Sequence, residues 1–281
     1  MLKILSRVNQ SWHTTGMDTI YNCVDTDWFY AYPHKINYKH NSRGFRDKEW
    51  PKDLVNAIWC VGDSFTYGIG SPAEHTWPYL LEVSRNQYTV NISLDGASNN
   101  WIARQACTIL EKFNPETLVI QWSFIHRREA PVSTVLDPVW EDYYNAIKDS
   151  SWPECKQYSD FSKLSLDIQQ EIESDTGFEN WSDHVDVDSL RRLHYINSTI
   201  EQDIQNTQDC INSVINSTVD TQVLHSLIPK ELNVEFDFKN QTYLGQVKQV
   251  DIARDGYHYD FVTANKFVSQ INQALGNNAL T

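Results

Sequence analysis

No two of the five cysteines (Cys23, Cys60, Cys107, Cys155 and Cys210) stand at C-x-x-C spacing, so neither a zinc motif nor a dithiol redox motif is indicated. An odd, scattered set reads as reduced thiols in an intracellular setting. The nine histidines are dispersed, without an H-E-x-x-H helix or a Cys/His set, and no metal site is predicted. No G-x-x-x-x-G-K segment occurs, and Gly62, Gly68 and Gly70 lack dinucleotide-binding spacing, so no cofactor is predicted. Positive charge is scarce: 23 Lys and Arg against 37 Asp and Glu leave a net charge of -14. That balance argues against a nucleic-acid partner, because non-specific binding rests on neutralising phosphates. No apolar run is long enough to span a membrane. The opening residues lack a signal peptide's apolar region, which predicts a cytoplasmic location.

Aromatic residues, in contrast, are plentiful. Ten Trp, fourteen Tyr and eleven Phe, with 41% hydrophobic residues overall, describe a chain with a core rather than a disordered one. Its 281 residues suit one large domain or two ordinary ones.

Residues 1–50 show little periodicity and are rich in aromatics, as in Asp27-Trp28-Phe29-Tyr30-Ala31-Tyr32. They read as an N-terminal arm packed on the core, with a cleft-lining role as the alternative. From there strands and helices alternate. Residues 57–61 predict a buried strand that stops at Gly62, and a helix runs from about Thr76, a good N-cap, to about Val83. Residues 88–92 predict a second strand. Ile102, Ala103, Ala106, Ile109, Leu110 and Phe113 recur at helical spacing. Residues 117–122 form a third apolar strand, and 222–227 a fourth, ended by Pro229. A last helix begins near Asp260, with Phe261, Ala264, Phe267, Val268, Ile271 and Leu275 on its buried face. This alternation predicts an α/β fold built on a parallel sheet. Residues 126–219 break the rhythm. Helices near 140–148, 164–172 and 189–213 read there as a helical insertion, either a lid or a structural excursion.

Two short motifs carry the chemistry. Gly62-Asp63-Ser64 follows the first strand, where open α/β sheets place their sites. Asp255-Gly256-Tyr257-His258 lies near the other end, where a carboxylate and an imidazole three residues apart can share a turn. An early Gly-Asp-Ser with a late Asp-x-x-His resembles the SGNH/GDSL hydrolase family of esterases and lipases, over about residues 41–125 and 220–278. The resemblance implies a flavodoxin-like three-layer sheet, here with a helical insertion, over residues 51–281. It implies an ester hydrolase that works through an acyl-serine, with Ser64 as nucleophile, His258 as base and Asp255 as its orienting carboxylate. Asp63 is expected to hydrogen-bond the local turn. Arg43 and Arg46, in a segment found before the first strand in some members, read as exposed turn arginines, with a site-facing role as the alternative.

The resemblance also implies oxyanion donors: the backbone N–H groups of Ser64 and Gly96, and an Asn side chain after the third strand. Here that strand runs into Gln121-Trp122-Ser123-Phe124-Ile125-His126-Arg127-Arg128-Glu129, and the family's Gly-x-Asn-Asp is absent. Ser123 is the nearest replacement donor, with Asn99 or Asn100 reaching in from the second loop. Arg127 and Glu129 read as a structural ion pair, with substrate binding as the alternative. The implied partner is a small-molecule or carbohydrate ester, O-acetyl groups included. The missing Asn keeps two other classes open: a non-catalytic binding or structural module on the same fold, and an acyltransferase.

Overall fold

The computed structural model describes residues 2–4, 7–13, 18, 36–130, 133–136, 199–229 and 234–276. The helices expected near 140–148 and 164–172, and the first part of the one at 189–213, lie outside them. Two short strands, β1 (Ser11–Trp12) and β2 (Tyr38–Lys39), pair antiparallel within the N-terminal arm. The core elements follow in chain order: β3 (Ile58–Gly62), α1 (Ser64–Tyr67), α2 (Trp77–Arg85), β4 (Thr89–Ser93), α3 (Asn99–Phe113) and β5 (Thr117–Trp122). A hairpin of β6 (Arg128–Ala130) and β7 (Ser133–Leu136) comes next. The chain closes with α4 (Ile200–Ser217), β8 (Gln222–Leu227), β9 (Thr242–Gln246) and α5 (Phe261–Ala274).

Five strands form one parallel sheet in the order β4-β3-β5-β8-β9. That is the doubly wound order in which the second strand lies outside the first and the third crosses to its other side. The order reverses between β3 and β5, and the carboxyl ends of strands at such a switch point are where open α/β sheets place their sites. Successive side chains of a strand face opposite sides of the sheet. Accordingly Trp59 and Val61 join one buried cluster with α3 and α4, while Ile58 and Cys60 join the other with α2 and α5. Trp59, Trp77 and Trp122 are fully buried in these layers.

The helices follow their amphipathic patterns, except that Phe113 and Phe261, expected on buried faces at helix ends, are 39% and 40% exposed. Ser98 caps α3 by accepting the Trp101 N–H. In α4, Thr199 and Gln202 form a capping box. Two expectations need correcting. Thr76 stands at the cap position of α2, but its hydroxyl donates to the Ala73 carbonyl at 2.7 Å instead of accepting from the helix. And α4, expected as part of an insertion, is the crossover joining two parallel neighbours, β5 and β8, a connection such strands require. Its Cys210, Ile211 and Val214 belong to the core. Among the described residues, no helix is long and apolar enough to cross a membrane.

Candidate active site

The end of β3 builds the first half of the site. A Cβ on Gly62 would lie 2.0 Å from Thr66 Oγ1 and 2.8 Å from its Cβ, so only glycine lets the chain double back into α1. Asp63 then caps α1, its Oδ1 accepting the Phe65 N–H at 3.0 Å. Ser64 is the first residue of the helix, and its N–H has no hydrogen-bond partner among the described residues. Gly68, at φ 82°, ends the single turn.

The second half comes from the turn before α5. Ala253 N–H donates to the His258 carbonyl at 2.7 Å and Gly256 N–H to the Ala253 carbonyl at 2.9 Å, with Gly256 at φ 74°. Asp255 Oδ1 accepts the N–H groups of His258 (3.1 Å) and Tyr257 (3.3 Å). Its Oδ2 faces His258 Nδ1 at 2.5 Å, and His258 Nε2 faces Ser64 Oγ at 2.8 Å. The three-residue spacing thus lets one carboxylate shape its own turn and orient the ring. These partners assign the proton to Nδ1, leaving Nε2 to accept from the serine hydroxyl. The row is sheltered: Ser64 is 2% exposed, His258 3% and the Asp255 side chain 0%. Phe65 packs on the imidazole at 4.5 Å between ring centroids. Behind it runs a buried polar chain, in which Trp77 Nε1–H donates to Thr66 Oγ1 and Thr66 Oγ1–H to Gln121 Oε1. Gln121 in turn hydrogen-bonds the Tyr259 hydroxyl.

The loop after β4 places Gly96 at φ 70°, and its N–H also has no partner among the described residues. The replacement donors are committed elsewhere. Ser123 Oγ–H donates to Asp63 Oδ2 at 2.7 Å. Asn99 Nδ2 donates to the Ser123 carbonyl and to Thr207 Oγ1, both at 3.1 Å, while its Oδ1 accepts the Ser123 N–H at 2.8 Å. Asn100 exchanges two amide hydrogen bonds with Asn206. Both Asn99 and Ser123 therefore fix the end of β5, and their side-chain donors are used up in doing so.

The ion pair expected between Arg127 and Glu129 falls outside the described side chains, and Arg46 differs from expectation. Arg127 Nη1 reaches Asp63 Oδ2 at 2.8 Å and Ser123 Oγ at 3.0 Å. Arg46 is buried, where an exposed turn residue was expected. It donates to the carbonyls of Tyr67, Gly68 and Ser71, and its guanidinium lies 4.2 Å from the centre of the Tyr38 ring. It clamps the loop that follows α1. Arg43 stacks over Trp50. Among the described residues, no group of three His, Cys, Asp or Glu is placed to hold a metal ion.

Fold and site together describe a doubly wound α/β protein carrying a Ser–His–Asp row at its switch point. No protein-family model matches the chain, and no curated protein matches it significantly. It is similar to the solved structure of TesA at 11% identity and TM-score 0.38, over 80% of this chain and 100% of that one. It is similar to a family two carbohydrate esterase from Clostridium thermocellum, solved with cellohexaose, at 13% identity and TM-score 0.41, over 82% and 67% of the two chains. A lipolytic protein of the G-D-S-L family from Desulfitobacterium hafniense DCB-2 aligns at 12% identity and TM-score 0.36, over 78% of this chain and 98% of that one.

Proposed function

We propose that the protein is a serine ester hydrolase of the SGNH type. The observation that carries this reading is the continuous row Ser64 Oγ–His258 Nε2–His258 Nδ1–Asp255 Oδ2, with contacts of 2.8 and 2.5 Å. Ser64 attacks the ester carbonyl while His258 takes its proton. Asp255 holds the ring in the tautomer that can accept that proton, and stabilises the imidazolium that forms. His258 then protonates the departing alcohol, and a water repeats the sequence on the acyl-serine. The oxyanion is met by the N–H groups of Ser64 and Gly96. With Ser123 and Asn99 engaged in the scaffold, a two-donor hole supports turnover of reactive esters with good leaving groups. Carboxylic esters, O-acetyl groups on carbohydrate included, are the substrate class.

A fluorophosphonate probe tests the reading on native protein and Ser64→Ala, followed by p-nitrophenyl acetate turnover. Labelling confined to the native serine, with turnover, supports the hydrolase. A folded native protein that takes up no probe would instead make it a binding module on this fold, and labelling with acyl transfer to an added alcohol in preference to water would make it a transferase.

A further inference from the structure

The arm reaches the site through the residues that stand immediately before two of its members. Arg7 pairs with Asp95, which precedes Gly96. Asp18 pairs with Arg254, which precedes Asp255, at 2.9 Å across 236 positions of sequence. Tyr38 donates to the same oxygen of Asp18 at 2.8 Å and accepts the Gly70 N–H at 2.8 Å. The Gly70 carbonyl accepts the Arg254 N–H at 3.1 Å. Gly70, at φ 75°, closes the circle: a Cβ there would stand 2.7 Å from Asp255 Oδ1 and 2.9 Å from its nitrogen. The side chains of the Asp18–Arg254 pair are 0% and 6% exposed.

Local hydrogen bonds set the shape of the 253–258 turn, but they do not set its distance from Ser64, which stands on a different element. Part of that register comes from Phe65 packed on the imidazole and from Ser71 Oγ–H, which donates to Asp260 Oδ1 at 2.8 Å, and the rest needs a further element to hold the turn. We propose that the N-terminal arm does this, with Asp18 and Arg7 as positioning residues that act through Arg254 and Asp95 to hold Asp255 and Gly96 against Ser64. This inference rests on the hydrolase reading of the site. Breaking one side of a buried ion pair leaves a charge without its counterion. The surrounding turn then relaxes, and a displacement of about 1 Å in a reacting group costs on the order of 10²-fold in rate. Burial works against the Asp95 charge, and the Arg7 guanidinium beside it holds its carboxyl below the ordinary carboxylate range.

The test compares native protein with Asp18→Asn, Arg7→Met, Arg254→Lys and Lys48→Met. The last breaks another contact of the arm, with Glu82, away from the site. Two readouts are taken: p-nitrophenyl acetate kinetics, and the low-field proton resonance of His258 Nδ1–H, assigned by its loss in His258→Ala. For Asp18→Asn and Arg7→Met, kcat is expected to fall about 10²-fold with KM changed less than about twofold. The resonance should shift or be lost to exchange in Asp18→Asn. Arg254→Lys, which keeps a charge for Asp18, should recover most of kcat, and Lys48→Met should match native protein.

Should Asp18→Asn fail to fold, Arg7→Met and Arg254→Lys carry the comparison. An unchanged resonance and kcat in the folded arm variants would overturn the proposal, as would the absence of the resonance from native protein. A native protein that shows the resonance but neither turns over ester nor takes up the fluorophosphonate would sink the hydrolase reading alone. The arm's role would then be decided by the resonance.

Discussion

Asp63 and Ser123, sixty positions apart, are joined by a 2.7 Å hydrogen bond in which the serine hydroxyl donates to Oδ2 of the carboxylate. The other oxygen of that carboxylate caps the helix that begins with Ser64. One fully buried side chain therefore ties the carboxyl end of β5 to the start of α1, and Arg127 supplies its countercharge.

Removing that countercharge should be costly. Arg127→Met leaves the Asp63 carboxylate buried beside a neutral side chain, and a loss of about 3–5 kcal/mol in unfolding free energy is expected. Urea unfolding measures it. Asp63→Asn added to Arg127→Met should return part of the loss, because no ion is then stranded.

Asn99 offers a sharper test of how β5 is anchored. It gives its N–H groups to Ser123 O and Thr207, and its carbonyl accepts the Ser123 N–H. Asn99→Asp keeps the shape but turns a carboxylate oxygen toward the Ser123 carbonyl. It should destabilise at least as much as Asn99→Ala, whose cost is about 1–3 kcal/mol for each polar group left unsatisfied. Thermal unfolding of the two variants decides it.

For Asp255→Asn, catalysis should suffer more than folding. The amide oxygen can still accept the backbone N–H groups of Tyr257 and His258. The amide nitrogen then faces Nδ1 and donates to it, which moves the ring proton to Nε2 and leaves nothing to take the Ser64 proton. A fall in kcat of about 10⁴ is expected. A native-like circular dichroism spectrum beside near-native kcat would contradict the assignment.

Two buried histidines contribute to the acid limb of stability. His225 accepts the Trp122 indole N–H at Nδ1 and offers its Nε2 proton to Gln241. Burial pushes it down from 6.5 to about 4, with the Gln241 hydrogen bond partly opposing. Burial likewise pushes His40, held between Gln10 O and the Tyr67 hydroxyl, to about 4. Between pH 6.5 and 4 the unfolded chain binds these protons more readily than the fold, so their contribution to stability declines as pH falls, while Asp47, which burial raises to about 7, works the other way over the same window. Urea unfolding from pH 8 to 4, run on native protein and His225→Gln, isolates the histidine contribution: the stability of native protein relative to the variant should fall as pH falls through that window.

Much of this architecture was legible in the residues. The strand at 117–122 was marked by the apolar Leu118-Val119-Ile120, the one at 222–227 was bounded by Pro229, and the Gly-Asp-Ser and Asp-x-x-His motifs brought Ser64, Asp255 and His258 to one place. What escaped was long-range and polar. Arg46 looked like a turn residue because nothing local says that the carbonyls of Tyr67, Gly68 and Ser71 will surround it. Ser123 and Asn99 looked like free donors because the demand on them comes from Asp63, Thr207 and the β5 backbone, which meet only in the fold. The crossover helix α4 looked like part of an insertion because residues 123–199 separate it from β5 in sequence.

The distance between Ser64 and His258 along the chain, 194 positions, has a further consequence. A ribosome delivers the serine long before the imidazole, so a nascent or prematurely ended polypeptide carries an inert hydroxyl. On the hydrolase reading, reactivity toward acyl groups arrives only when the turn at 253–258 and α5 have docked. Probe labelling of Ser64 therefore reports completed folding as well as chemistry, and a protein stalled short of α5 would be silent toward it.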